Sequence, residues 1–260
     1  MSNSMINSFI KILAVLLMVK YYFPPCGFGF WYQLGVLDLI KENDYEIYGS
    51  SAGSLICLMY LLKKEDRSFE RLSNVANQIR NNHMIINIYQ YVNEFILSNY
   101  EIINGYTKDY INKKLSKIFI EVTEINFFYI FPYFKSVIKN PKSLEELKIF
   151  ILASCYVPFI SFHRNPFSLK INKKYYIDGF FGSLSNVSND FIKINSYNYG
   201  TLIPNKQEKC LLLYQIGKEY NFEQKNLDFN IISFLKISLN IVIDVLLLLI
   251  DFLFAFFQIL

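Results

Sequence analysis

Several residue types are scarce in this chain, and each shortage excludes a class of protein. Only two of the 260 residues are histidine, four are cysteine and 10 are glycine. No Cys-x-x-Cys pair occurs, which leaves a zinc or dithiol redox site without support. The net charge of +4 is spread along the chain without a dense basic run, which argues against nucleic acid as a partner.

Hydrophobic residues, by contrast, are abundant. They make up 53% of the chain, with 25 phenylalanines and 20 tyrosines, against a usual share of roughly 45–50%. This excess indicates contact with lipid or an unusually apolar core. Three of the four cysteines stand in surroundings typical of buried free thiols, which favour a reducing compartment. We therefore expect an intracellular, membrane-associated protein.

The stretch Gly49-Ser50-Ser51-Ala52-Gly53 matches the pattern G-x-S-x-G. Apolar residues suited to a short strand precede it, and apolar residues at helical spacing follow it. In that context the pattern presents a nucleophilic serine, Ser51, on a sharp turn for which Gly49 and Gly53 leave room. The helix N-terminus behind Ser51 favours negative charge. The competing interpretation is a Gly/Ser loop or helix cap that fits the pattern by chance.

A second glycine-containing loop precedes this motif. It runs Pro24-Pro25-Cys26-Gly27-Phe28-Gly29, between a predicted strand at 19–23 and a helical pattern. Such a loop presents backbone N–H groups that can hold an anion. Ahead of a nucleophile, Gly27, Phe28 and Gly29 are a candidate oxyanion hole, although similar loops also form ordinary turns.

The remaining pattern predicts alternating strands and helices. Helices are expected over 63–80, over 88–96 with one apolar face, and from a capping box at Ser143 to about Cys155. Strands are expected at 118–122, at 175–177 ahead of Asp178, and at 210–216. This alternation predicts one α/β domain over 19–220 with a largely parallel sheet.

Both ends of the chain are apolar. The run at 9–18 resembles the core of a signal peptide, but no small-residue cleavage site follows, so 1–18 is predicted to lead into the first strand. The stretch 237–260 holds no lysine or arginine and is long enough to span a bilayer. Asp244 and Asp251 share one helix face within it. Residues 229–260 are therefore predicted to be an apolar helix that spans or lies on a membrane, or that docks on the domain.

A nucleophilic serine needs a base. The chain offers only His83 and His163, and neither precedes Ser51 or follows Asp178. The chymotrypsin and subtilisin triads place the histidine before the serine in the chain, so neither order is possible here. The α/β-hydrolase triad places the histidine after the aspartate, so it cannot use Asp178. An arrangement of Ser51, a histidine and Asp178 stays open on these grounds. A direct pair of Ser51 and Asp178 is the other solution, because burial can raise the pKa of a carboxylate toward the working range of a base.

These blocks, in this order, resemble the patatin-like phospholipases. The likeness rests on Cys26-Gly27-Phe28 with the helix that follows, on Gly49-Ser50-Ser51-Ala52-Gly53, and on Tyr176-Ile177-Asp178-Gly179. The stretch Ala153-Ser154-Cys155-Tyr156-Val157-Pro158 also resembles a helix end of that family. Together the blocks extend over most of the predicted domain.

The resemblance implies a three-layer α/β fold with a largely parallel central sheet and helices on both faces. It implies a lipid acyl hydrolase in which Ser51 attacks an acyl ester, Asp178 takes the serine proton, and an acyl-enzyme forms. The N–H groups of Gly27, Phe28 and Gly29 would hold the oxyanion. No metal or organic cofactor is implied. The expected partners are the lipid substrate and a membrane surface.

Departures from the family pattern define an alternative. Pro24 and Pro25 stand where the family's loop usually has more glycines, and proline has no N–H to donate. Gly29 and Phe30 stand where a lysine or arginine is common, and Phe180 follows the Asp-Gly pair. The alternative is a catalytically weak or inactive patatin-like protein that binds lipid or a membrane.

Overall fold

The structure is a computed structural model, and it describes residues 18–41, 45–82, 87–128, 131–158, 161, 168–183, 190–194, 196 and 206–222. The strands are β1 (Val19–Phe23), β2 (Tyr45–Ser50), β3 (Ile118–Phe128), β4 (Phe131–Lys139), β5 (Leu169–Ile171), β6 (Lys174–Ile177) and β7 (Ile192–Lys193). The helices are α1 (Phe30–Leu39), α2 (Gly53–Leu61), α3 (Phe69–Asn82), α4 (Ile88–Ile103), α5 (Lys108–Leu115), α6 (Leu144–Ser154), α7 (Phe180–Ser183) and α8 (Gln207–Lys218). The predicted C-terminal helix at 229–260 and residues 1–17 of the predicted lead-in lie outside the described residues.

The described strands form one mixed sheet in the order β5-β6-β3-β2-β1-β7, with β4 also paired to β3. The pairings that join β7, β1, β2 and β3 are parallel. The pairings of β4, β6 and β5 are antiparallel and form a flank beside this centre. The central strands carry fully buried apolar residues such as Ile47, Ile118 and Ile120, which their register places on one face of the sheet.

Strand β3 joins the two halves of the sheet. Along one edge it pairs with β4. Along the other edge it pairs first with β2, which ends with Ser50 opposite Glu121, and then with β6, which ends with Ile177 opposite Thr123. Because β2 runs parallel to β3 and β6 runs antiparallel, the C-terminal ends of β2 and β6 point at each other. Two residues of a strand span only about 7 Å, so the residues that follow β2 and β6 are brought together.

Several elements predicted from the sequence are confirmed. Strands β1, β3 and β6 cover the stretches predicted at 19–23, 118–122 and 175–177, and α6 covers the stretch after the capping box. The Ser143 hydroxyl caps α6 by accepting the N–H of Glu146 at 3.1 Å. The helix predicted over 63–80 begins later, as α3. The predicted apolar face of α4 is buried and consists of Ile88, Tyr91, Val92, Phe95 and Ile96.

The predicted strand at 210–216 is wrong, because helix α8 covers that stretch. Its buried residues recur at helical spacing and are Cys210, Leu213 and Gly217. The helix packs along α1, where the Tyr214 hydroxyl donates to the Asp38 carboxylate at 2.6 Å. Burial along one side of a neighbouring helix, rather than pairing at a sheet edge, therefore accounts for its apolar residues.

Helices cover both faces of the sheet. Helix α2 packs against the face that carries Gly49, whereas α7 packs against the opposite face, beside Thr123 and Ser136. The predicted fold class, an α/β three-layer fold with helices on both faces of a central sheet, is confirmed. The sheet is parallel at its centre, as expected, and its antiparallel flank supplies the strand that ends before Asp178.

Candidate active site

Ser51 lies in the sharp turn between β2 and α2. Its backbone has a φ of 52°, a left-handed conformation that is strained for a residue with a side chain. The chain folds back so tightly that a Cβ atom at Gly49 would lie 2.3 Å from the carbonyl oxygen of Gly53. A Cβ atom at Gly53 would lie 2.0 Å from the carbonyl oxygen of Phe23. The turn that presents the serine therefore requires both glycines of the motif.

The Ser51 hydroxyl donates a hydrogen bond to Oδ2 of Asp178 at 2.7 Å. The other carboxylate oxygen of Asp178 accepts the N–H of Phe180 at 2.8 Å. The main chain of Asp178 is also fixed, because its N–H donates to the Tyr156 carbonyl at 2.8 Å and its carbonyl accepts the Thr123 hydroxyl at 2.9 Å. The opposed ends of β2 and β6 thus bring together two side chains that lie 127 positions apart in the chain.

Burial raises the pKa of Asp178 from its ordinary value of 3.8 to about 7. Loss of hydration is the main cause, because Asp178 is only 2% exposed and a dry environment penalises the charged form. The hydrogen bonds from Phe180 and Ser51 act in the opposite direction, and the negative charge of Glu121 raises the pKa further. A carboxyl group with a pKa near 7 exists in both protonation states at neutral pH, which suits it to proton transfer.

The Ser51–Asp178 pair lines a narrow pocket, which has a cavity volume of about 50 Å³ and a total empty space of about 500 Å³ when the open solvent at its mouth is included. The loop before α1, helix α2 and helix α4 supply most of its walls. Its apolar lining consists of Phe28, Phe30, Ala52, Leu55, Ile88, Tyr91, Val92, Phe95 and Val157. The predicted apolar face of α4 therefore serves both the core and this cavity, which is suited to an apolar ligand.

The predicted oxyanion loop reaches this cavity only in part. Gly27 and Phe28 line it, and Gly27 has a φ of 52°. The N–H of Gly29 instead donates to the Cys26 carbonyl at 3.0 Å, so it closes a turn within the loop. Ala52 also lines the cavity, and the N–H after the nucleophile is the donor that this motif commonly supplies to an oxyanion hole. The candidate donors are therefore the N–H groups of Gly27, Phe28 and Ala52.

The histidine alternatives cannot be placed, because His83 and His163 both lie outside the described residues. All four cysteines are buried thiols outside any disulfide, and burial raises the pKa of the Cys26 and Cys155 thiols beside the site. Within the described ranges, no group of histidine, cysteine or acidic residues is arranged to hold a metal ion. The same part of the chain contains no helix that is both long and apolar enough to cross a bilayer.

Sequence reasoning missed residues that hold the site together. Ser154 and Cys155 contact the main chain of Ser51, whereas the sequence of their stretch indicates only a helix end that resembles the family. Nothing in the local sequence indicates this contact, because it joins residues more than 100 positions apart. Ala52 could have been found, since its place in the G-x-S-x-G pattern directly follows the nucleophile.

Fold and site together define an α/β protein in which a serine on a strand-to-helix turn donates a hydrogen bond to a buried carboxylate beside an apolar cavity. A family model described as Patatin-like phospholipase matches residues 26–187. The match covers more than half of the chain, and the chain belongs to the patatin-like phospholipase family. The resemblance predicted from the sequence is confirmed, and it assigns the chain to a family of lipid acyl hydrolases. The comparison with curated proteins gave no match.

Proposed function

We propose that the protein cleaves fatty-acyl esters of lipids through an acyl-enzyme on Ser51, with Asp178 as the base. The observation that carries the proposal is the 2.7 Å hydrogen bond from the Ser51 hydroxyl to the Asp178 carboxylate at the wall of an apolar cavity. A serine is a poor nucleophile unless a positioned base takes its proton. Among the residues that the structure describes, Asp178 is the base within hydrogen-bonding reach of that proton.

The chemistry follows from this geometry. As the Ser51 oxygen attacks the ester carbonyl, the proton of the Ser51 hydroxyl passes to Oδ2 of Asp178. The new oxyanion accepts hydrogen bonds from the N–H groups of Gly27, Phe28 and Ala52. Collapse of this intermediate breaks the bond to the alcohol, which takes the proton from Asp178. Water then attacks the acyl-enzyme while Asp178 takes a proton from it. The bond between the acyl carbon and the Ser51 oxygen breaks, Asp178 returns the proton to that oxygen, and the fatty acid is released. The raised pKa of Asp178 makes its carboxylate a stronger base than an exposed aspartate.

The cavity favours an acyl chain over a polar substrate. Apart from Ser51, Asp178 and Cys155, its wall is formed by apolar side chains and a glycine. Burying an acyl chain there removes apolar surface from water and gives about 0.8 kcal/mol per methylene group. The ester carbonyl is then held at the polar end of the cavity, where the serine lies.

The enzyme is proposed to act at a membrane surface inside the cell. The four cysteines form no disulfide, which supports a reducing compartment inside the cell. Exposed apolar side chains support binding to a membrane surface. Phe134 and Ile138 lie on one face of β4, and they are 55% and 52% exposed. The full chain should sediment with phospholipid vesicles, and Phe134→Ser with Ile138→Ser should weaken that binding. Equal sedimentation of variant and unchanged protein would remove this face from the proposal.

A second candidate function is lipid binding without turnover. It is favoured by the loop before α1, where Pro24 and Pro25 lack N–H groups and the Gly29 N–H is occupied by Cys26. An oxyanion hole with fewer donors gives a slower enzyme, since each donor contributes about 10²–10³-fold to the rate. A fluorophosphonate that labels Ser51 would exclude this candidate.

The test is hydrolysis of a short p-nitrophenyl ester by the full-length protein and by three variants. Ser51→Ala and Asp178→Ala should each lower kcat by about 10⁴-fold, because nucleophile and base act as one unit. Ser73→Ala is the matched control: Ser73 is 1% exposed, bonds a carbonyl within α3, and should leave kcat unchanged. Full activity in Asp178→Ala together with lost activity in His163→Ala would refute the direct pair and make His163 the base.

A further inference from the structure

The end of helix α6 holds both members of the pair by their main chains. This segment, the clasp, consists of Ser154, Cys155 and Tyr156. The Ser154 hydroxyl accepts the N–H of Ser51 at 2.8 Å and donates to the Glu121 carbonyl of β3 at 2.6 Å. The Ser154 carbonyl accepts the N–H of Gly179, the residue after Asp178, at 3.0 Å. One buried residue therefore connects the nucleophile, strand β3 and the segment that carries the base.

The two other residues of the clasp repeat this pattern. The Cys155 thiol donates to the Ser51 carbonyl at 3.1 Å. The Tyr156 carbonyl accepts the N–H of Asp178 at 2.8 Å. Three consecutive residues thus make two hydrogen bonds to the Ser51 main chain and two to the main chain of Asp178 and Gly179. The separation of the two reacting side chains is tied to this segment.

We infer that Ser154 is a positioning residue that sets the separation between the Ser51 hydroxyl and the Asp178 carboxylate, an inference that rests on the proposed function. Ser51 needs such support because its left-handed backbone persists only where the surroundings fix it. Ser154 is 0% exposed and is not part of the cavity wall, so it touches neither substrate nor reacting atoms. It acts through the two main-chain groups that it bonds.

Removal of the Ser154 hydroxyl leaves the Ser51 N–H and the Glu121 carbonyl without that partner. The turn then relaxes, and the Ser51 hydroxyl moves away from Asp178. Because the Ser51 hydrogen bond lowers the pKa of Asp178, its loss raises that pKa. The other titratable groups that face Asp178 are Glu121 of β3, Cys26 of the loop before α1 and Cys155. None of them changes in the variant.

The experiment compares kcat, KM and the pH profile of ester hydrolysis for the full-length protein, Ser154→Ala, Ser154→Thr and Ser73→Ala. In Ser154→Ala we expect kcat to fall by about 10²-fold at nearly constant KM, because misplacement of about 1 Å has that effect. The acidic limb of its pH profile should move to higher pH. Ser154→Thr keeps the hydroxyl and should recover most of kcat, and Ser73→Ala should behave as the unchanged protein. If Ser154→Ala does not fold, Ser154→Cys replaces it, with a weak S–H donor of similar size.

Wild-type kcat and an unshifted acidic limb in folded Ser154→Ala would overturn the inference. So would an equal loss in Ser154→Thr, because a hydroxyl in the right place would then not restore the geometry. If the unchanged protein neither hydrolyses esters nor reacts with a fluorophosphonate, the proposed function fails separately. A crystal structure of Ser154→Ala then decides the inference: a lengthened distance from Ser51 Oγ to Asp178 Oδ2 supports it, and a retained 2.7 Å distance refutes it.

Discussion

Replacing Asp178 with asparagine should stabilise the protein above neutral pH while abolishing its activity. The folded-state pKa of Asp178 is about 7, against an ordinary value of 3.8, a difference of about 3 pH units. Between these two values the folded chain binds more protons than the unfolded chain, so the free energy of unfolding falls as pH rises through this window. At 1.36 kcal/mol per unit, the buried carboxylate costs about 4 kcal/mol above pH 7. Asparagine is never charged and avoids this cost.

The assay is urea unfolding of the full-length chain at pH values from 4 to 8. Near pH 4 the wild type and Asp178→Asn should be about equally stable, and by pH 8 the variant should be more stable by about 4 kcal/mol. Ser51→Ala is the matched control, because it is inactive but keeps the carboxyl group. Its stability should still fall as pH rises, and over a somewhat wider range of pH than in the wild type, because loss of the Ser51 hydrogen bond raises the pKa of Asp178 further. Parallel loss of stability in wild type and Asp178→Asn between pH 4 and pH 8 would refute the argument from burial.

Two further predictions concern the cavity and the turn. Val92→Phe narrows the cavity, so kcat/KM for a decanoyl ester should fall about tenfold relative to kcat/KM for a butanoyl ester. This factor corresponds to the loss of contact with about two methylene groups. An unchanged ratio of the two esters would place the acyl chain elsewhere. Gly53→Ala puts a Cβ atom 2.0 Å from the Phe23 carbonyl oxygen and should lower the free energy of unfolding by about 3 kcal/mol, measured by urea. Gly105→Ala, where the nearest atom would lie 3.2 Å away, should cost less, and an equal cost would contradict the steric argument.

The candidate site was accessible from the sequence because its two main residues stand in local patterns. Glycines at fixed spacing surround Ser51, and a short strand followed by Asp-Gly marks Asp178. The meeting of these patterns in space could not be predicted in the same way, because it depends on the register of β2 and β6 on β3. Register is set by long-range pairing and burial, which a single sequence does not display. The role of Ser154 was hidden for the same reason.

The errors in the fold have equally physical causes. In helix α8 the exposed residues Leu211 and Leu212 stand beside buried Cys210 and Leu213, so the apolar run is unbroken and hides the helical period. Strand β4 was not predicted, and its side chains at Tyr133, Phe134 and Ile138 are largely exposed. Strands with little burial give weak patterns, because the alternation of apolar and polar residues reflects burial on one face.

The meeting of β2 and β6 end to end has a consequence for how this protein can change over evolution. Each reacting group is anchored to the same central strand within a few residues of itself and is held by the end of α6, so the loops at 62–68 and 104–107 carry no part of the alignment. Insertions at 62–68 or 104–107 can accumulate without moving either group, whereas a shift of one residue in the pairing of β6 would point the carboxylate to the opposite side of the sheet. Relatives should therefore vary widely in loop length and hardly at all in the spacing from strand to acid.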